Sequence, residues 1–296
     1  MILLFGLFGA ITSLLLLPAD LRAAVAPGEP ALLINVTART FRPGEAVRVR
    51  VRCTCPEPLE QVRGELFGQT ILFTRVEQEW SGLAGIDLGT KAGIYGVDVE
   101  AHGPGGLAIR GSKSIRVVSR TFPVRRLRVA SQFVEPSEEE QLRIVQEAER
   151  IDRIFRATPI RIWDGGFVRP LMGSVTSNFG ARTVFNGQSR APHAGIDFTE
   201  DVGTPAASPS AGHIVLAQDL FFTGGTIIID HGQGLFSLFA HLSELVAREG
   251  EDVAQGAIVG YVGATGRATG PHLHWAVRLN GARVDPLSII EIAKIR

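Results

Sequence analysis

The sequence predicts a mainly β chain: an N-terminal β-sandwich, a connector helix and a C-terminal antiparallel-sheet domain. Three observations predict it. Short runs rich in β-forming residues recur between Pro and Gly turn signals up to about Arg120. A single later segment combines a helix start signal with helical spacing of its apolar residues. Around H-L-H in the last third, apolar and polar residues alternate as they do along a half-buried strand.

Taken in order, residues 2–17 are almost wholly apolar and lead into Pro18, Asp20, Arg22 and an A-A-V-A stretch. That is the layout of a secretory leader with a small-residue cleavage region, although no Lys or Arg precedes the apolar run. The run is short for a spanning helix, which needs about 20 residues. Residues 1–26 are therefore read as a signal peptide or short membrane anchor. The bulk of the chain is expected to be extracytoplasmic, in the periplasm, in the cell envelope or secreted.

Residues 27–120 hold the runs 46–51, 70–76, 93–100 and 114–118, separated by P-G, G-P-G-G and similar turns, which predicts a small immunoglobulin-like sandwich. Both cysteines lie here, as C-T-C. A disulfide between Cys53 and Cys55 would be strained, and a zinc half-site lacks its second half, so both are left as exported thiols whose state the sequence does not fix. The linker, 121–165, carries the helix. Ser137 and Glu140 form a capping-box signature, acids crowd the first turn, and Leu142, Val145, Ala148 or Ile151, and Phe155 return at helical spacing. Such a helix is expected to lay that stripe on a domain face.

Chemistry concentrates in 166–296, in H-A-G-I-D, F-A-H-L and P-H-L-H-W. A catalytic zinc needs three N or O ligands and an open position, and His193, Asp197 and His274 supply such a set. His241 and His272 are then free for proton work. His272 and His274 fall on one face of a strand whose other face, Leu273, Trp275, Val277 and Leu279, enters a core. His193 and Asp197, four apart with Pro192 and Gly195 about them, read as a strand entered from a loop. Neither spacing is rare alone. Their joint presence in a segment with no cysteine and no G-x-S-x-G elbow leaves metal chemistry as the reading of this region. His231 and His213 read as turn and strand-start residues, and His102 as a turn residue far upstream. The Gly-rich run 260–270 lacks both G-K-[ST] and G-x-G-x-x-G, so it reads as a hairpin and loop beside a cleft.

Residues from about 167 to 286 resemble the lysostaphin-like (LytM-type) zinc metallo-endopeptidases that cut the peptide bridges of bacterial peptidoglycan. The resemblance rests on S-N-F-G-A-R, H-A-G-I-D-F, G-T-P-A-A-S, I-I-I-D-H-G-Q-G-L, F-A-H-L-S, V-G-A-T-G-R-A-T-G-P-H-L-H-W and a closing V-D-P, in the family's order. It implies a C-terminal peptidase domain over 166–296, Zn2+ held by His193, Asp197 and His274, and His241 with His272 as non-ligand catalytic histidines. Where the family often has Tyr two residues before the F-A-H-L histidine, this chain has Phe239, which predicts a missing hydroxyl near the site. The segment G-I-D-L-G-T-K-A-G-I-Y resembles the N-terminal β-domain that precedes the peptidase unit in some of these proteins. Peptide stems and cross-links are the implied partners. The competing class is a non-catalytic wall-binding relative that activates or regulates another hydrolase, and loss of ligands would mark it. With 30 basic and 30 acidic residues and no Lys/Arg block, nothing favours nucleic acid or an anionic membrane surface.

Overall fold

The structure, a computed structural model, describes residues 30–156, 160–163, 165–176 and 179–294. The apolar leader, 1–26, lies outside the described residues, as do Ser177 and Asn178 of the S-N-F-G-A-R motif.

Seven antiparallel strands build the N-terminal sandwich: β1 (Leu32–Ala38), β2 (Ala46–Cys53), β3 (Gln61–Leu66), β4 (Gln69–Val76), β5 (Glu79–Gly85), β6 (Gly93–His102) and β7 (Ala108–Val117). Their order, β1-β2-β5-β4-β3-β6-β7, is that of the immunoglobulin arrangement, four strands facing three. The β3–β4 hairpin joins the two layers through Phe67 and Gly68, both at positive φ (56° and 73°), as a two-residue hairpin turn requires. Val47, Val49 and Val51 of β2 meet Val97 and Val99 of β6 in the filling. The end of β2 fixes the state of the two cysteines, which the sequence leaves open. Cys53 and Cys55 are disulfide-bonded across a Cα–Cα separation of 5.1 Å, inside the span that a disulfide bridges.

The linker does more than connect. Its strand β8 (Val124–Leu127) is hydrogen-bonded in parallel to a later strand, and α1 (Glu138–Ile154) follows. Ser137 caps α1 as a capping box: its Oγ accepts from the Glu140 amide at 3.2 Å, and Glu140 Oε2 accepts from the Ser137 amide at 2.7 Å. The expected apolar stripe is only half used. Ile151, Ile154 and Phe155 pack on Leu216, Leu220, Ile228 and Phe236, whereas Leu142 and Val145 are 66% and 55% exposed. Polar anchors hold the exposed half instead, with the Phe221 amide donating to Glu147 at 2.9 Å and Arg143 reaching Asp219 at 3.1 Å.

Beyond α1 come β9 (Ser174–Thr176), β10 (Arg182–Phe185), β11 (Gln188–Ser189), β12 (Gly195–Thr199) and β13 (Pro205–Ala207). The long strands β14 (Gly212–Leu220), β15 (Gly224–Asp230) and β16 (Leu235–Leu242) follow, then β17 (Glu244–Leu245), β18 (Asp252–Val253) and β19 (Ile258–Tyr261). Finally β20 (Leu273–Leu279) and β21 (Ala282–Val284) lead into α2 (Pro286–Lys294). The main antiparallel sheet has the order β18-β14-β15-β16-β20-β12-β9, with β21 on β20. One face is core: Ile196, Phe198, Ile227, Ile229, Phe239, Trp275 and Val277 are fully buried. On the other face, register places Leu238 opposite Ala276, and His274 opposite both Ala240 and Asp197. Directly opposed residues share a face, so α1 covers one end of this surface and the imidazole cluster takes the other.

The helix α2 was not foreseen. The Asp285 of V-D-P starts it, accepting from the Leu287 amide at 3.0 Å, with Pro286 as first helical residue. The same carboxylate accepts from Arg39 of the sandwich at 2.8 Å, and Arg39 also pairs with Glu45. Nearby, Gly85 abuts β21 so closely that a Cβ there would lie 2.6 Å from the Ala282 Cβ. Ala46, Leu83 and Leu88 accordingly belong to the same core cluster as Trp275 and Val284.

Candidate metal centre and cleft

The expected strand around H-L-H is present, with Leu273, Trp275, Val277 and Leu279 all buried and His274 on the opposite face. His272 sits just before β20, tied to Gly263 by an isolated bridge. On β12, Asp197 stands directly across from His274. His193 precedes β12 in a loop, held at both backbone groups: its carbonyl accepts from the Gly180 amide at 2.7 Å, and its amide donates to Ala181 at 2.9 Å. Gly195 makes the crossing possible. The His274 ring lies over it, and a Cβ at 195 would stand 2.5 Å from the Trp275 carbonyl oxygen and 2.8 Å from His274 Nε2.

Strict alternation would send His241 into the core with Phe239, its neighbour two residues back. The pairing of β15 with β16 breaks here: Ile227 faces Phe239 but Gly225 faces Leu242, which leaves an extra residue between them. His241 absorbs it at φ 65°, a left-handed conformation that a side-chain-bearing residue seldom adopts. The bulge turns its imidazole toward the cleft. Phe239 stays fully buried and is absent from the cleft lining, so a hydroxyl at that position would lie in the core, contrary to the expectation of one near the site.

Three donor atoms converge. His193 Nε2, His274 Nδ1 and Asp197 Oδ1 stand 2.9, 3.1 and 3.1 Å apart. A tetrahedral ion with ligand bonds of about 2.0–2.1 Å needs donors roughly 3.3 Å apart, so the set fits a metal of the zinc type. Burial would raise the Asp197 carboxyl, but hydrogen bonds and charge from His193 and His274 outweigh it and hold the group far below the usual carboxylate range. Burial in turn lowers the His274 pKa, favouring the neutral ring that a metal requires. His241 is pushed down to about 3, first by burial and then by the neighbouring His274 and His272. Both accessory rings have their Nδ1 fixed. His241 Nδ1 lies 2.8 Å from the Thr265 carbonyl and His272 Nδ1 lies 2.8 Å from that of Gly270, so each carries its proton on Nδ1 and keeps Nε2 as an acceptor. Their rings lie 4.7 Å apart beside the donor set.

The other histidines serve the fold. His231 is fully buried, with Nδ1 on the Ala211 carbonyl at 2.8 Å and Nε2 on the Ser237 hydroxyl at 2.9 Å. His213 opens β14 beside Asp252. The Gly-rich loop does flank the cleft, through Thr269, Gly270 and Pro271. Sequence reasoning missed the far wall, where Arg125 and Leu127 of β8 lie opposite Thr183 and Phe185 of β10, and Arg125 comes within 3.7 Å of Asp197 Oδ2. A strand of four residues is too short to carry a periodicity that could have announced it.

Fold and site together define a β-sheet scaffold that presents a metal-ready His-Asp-His set in a cleft with two further imidazoles. Residues 191–286 match Peptidase family M23. A crystal structure of a Pseudomonas aeruginosa chain assigned to peptidase M23 is 33% identical, covering 86% of this chain and 96% of that one with a TM-score of 0.65. The chain belongs to the M23 peptidase family. It is also similar to the DD-carboxypeptidase/endopeptidase Mpg of Neisseria meningitidis serogroup B, 39% identical over 127 residues, 42% of this chain and 29% of the relative. A third relative, the peptidoglycan DD-endopeptidase ShyA of Vibrio cholerae, is 34% identical over 114 residues, 38% of this chain and 26% of the relative. The chain thus spans less than a third of the length of these two curated relatives.

Proposed function

We propose that the chain is an exported zinc metallo-endopeptidase that hydrolyses peptide cross-links of bacterial peptidoglycan, with His193, Asp197 and His274 as zinc ligands and His241 and His272 as catalytic histidines. The convergence of three donors within about 3 Å of one another at the base of a cleft carries this reading. Zinc, when bound, supplies a Lewis acid that acidifies a water molecule and polarises the scissile carbonyl. The remaining work falls to side chains. With Nδ1–H engaged by backbone carbonyls, His241 and His272 both offer Nε2 as acceptor; one takes the proton of the attacking water while the other orients it. The histidine that has gained the proton then carries an Nε2–H, which it donates to the developing oxyanion and finally to the leaving amine. Threonines 176, 183, 199, 223 and 269 line the cleft with hydroxyls suited to the backbone of an extended peptide. Support for the substrate comes from the relatives' printed activities, and support for export from the apolar leader.

The test is a digest of purified muropeptides by the zinc-loaded protein, read by mass. A cross-linked dimer should resolve into monomers. His274→Ala should lose both zinc and cleavage, whereas His241→Ala and His272→Ala should keep zinc while kcat falls about 100-fold or more. Full zinc in the first variant, or intact dimers with wild type, would overturn the reading.

A further inference from the structure

One cation in the cleft is left over once the site is described. Arg267, in the loop between β19 and β20, lines the same wall as Thr183 and Phe185. Its guanidinium carbon lies 4.8 Å from the ring centre of Phe185 and 4.4 Å from that of Phe222, and its amide donates to the Phe222 carbonyl at 2.8 Å. The rings hold the group through its π-facing surface but offer no acceptor for its N–H donors. Among the described residues the Arg267 side chain has neither a hydrogen-bond acceptor nor a carboxylate partner. Burial, and then the nearby charge of Arg190, disfavour the cation further, so an arriving anion would be gained at a site already short of one.

The position is specific. The carbonyl of Thr265, two residues earlier, accepts a hydrogen bond from His241 Nδ1, and that of Thr223, beside Phe222, accepts one from the His241 amide. Arg267 is therefore tied to the same two chain segments that fix His241. Across the cleft wall, Thr183 is paired with Arg125 and Phe185 with Leu127, so the two guanidiniums attach to positions two residues apart on β10, roughly 7 Å along the strand. Among the described residues Asp197 is the sole acid in the lining, and the proposed ion would use it. A peptide binding here meets two positive charges along the β8–β10 wall of the cleft.

We propose that Arg267 is a specificity-determining residue that binds a free carboxylate of the peptide substrate and so selects anionic stems. The inference rests on the peptidase reading above. A planar fork of donors held by two phenyl rings matches the geometry of a carboxylate, which accepts two parallel N–H bonds. That carboxylate can come from the end of a stem or from a diacid residue within it, and the two sources separate by selective amidation.

The experiment measures kcat/KM of the zinc-loaded full chain on one cross-linked peptide in three forms: unmodified, amidated at the stem terminus, and amidated at the internal carboxylate. Wild type should prefer the unmodified form about 10-fold or more over one of the amidated forms, the scale of a charge-assisted hydrogen bond, with the change carried mainly by KM. In Arg267→Gln this preference should collapse toward unity, and Arg267→Lys should restore part of it, since Lys keeps the charge without the fork. The amidated form that loses the preference names the carboxylate. Equal cleavage of all three forms by wild type would overturn the proposal while leaving the peptidase reading intact, and so would an undiminished preference in Arg267→Gln. Failure of wild type to cut any form would overturn both.

Discussion

Replacing Gly195 by Ala should damage the metal centre without touching a ligand. The added Cβ would stand 2.5 Å from the Trp275 carbonyl oxygen and 2.7 Å from His274 Cε1, where ordinary contact begins at 3.4 Å. Neither neighbour is free to yield. One is backbone in the centre of a sheet, and the other is a ring whose Nδ1 is already fixed against Asp197 and His193. Relief therefore requires β12 and β20 to part, or His274 to swing, by up to about 0.9 Å, several times the roughly 0.2 Å by which ligand bonds vary in working metal sites. Zinc affinity should fall about 10- to 100-fold, the range seen when groups that orient ligands are removed. Overpacking should also cost about 1–3 kcal/mol of stability. Competition with a zinc-responsive chelator reads the first effect, and denaturant unfolding of metal-stripped protein reads the second. Wild-type zinc affinity in Gly195→Ala would refute the reasoning.

Two further outcomes follow from the structure. A fragment beginning at Trp163 keeps the three donor residues but loses β8 from the cleft wall and uncovers Ala282 and Val284, so it should bind zinc yet melt several degrees lower and show a raised KM; a fragment with the melting point and KM of the full chain would contradict this. Burial holds His231 at about 4 in the folded chain against about 6.5 when unfolded, so below pH 6.5 the unfolded state takes up a proton that the native state refuses. Stability should therefore decline as pH falls from 6.5 toward 4, by at most about 3 kcal/mol from this residue. His231→Gln should be less stable at neutral pH but show a shallower acid slope when both proteins are stripped of metal, and parallel slopes would remove His231 from the account.

Features governed by short-range rules were legible in the chain. Ser137 and Glu140 announced α1, and the alternation from Leu273 to Leu279 announced β20 together with the side on which His274 lies. His193 and Asp197 were readable as a pair because Gly195 and Pro192 argued against a helix. His241 was recognisable through its motif, but its direction was not: a bulge and one left-handed residue reverse the face that strand periodicity assigns. The seating of α1 also escaped, because Leu142 and Val145 fit the helical stripe while Glu147 and Arg143, which lie outside it, make the contacts. For β8 the deciding partner, β10, lies outside any local window, and the Cys53–Cys55 bridge depends on a Cα–Cα approach of 5.1 Å that residue spacing alone does not fix.

The packing at the V-D-P turn has a mechanical consequence. Arg39, Glu45 and Asp285 are interlocked where Gly85 lies against Ala282, and hydrophobic residues from both sides are continuous there. A pivot at that point would have to separate buried carboxylates from their guanidinium and break open a filled interior, so thermal motion has little to exploit. The sandwich and the cleft consequently keep one bearing. Whatever surface the sandwich rests on therefore sets the direction from which the cleft is approached, in the way a guide fixed to a saw sets the line of its cut.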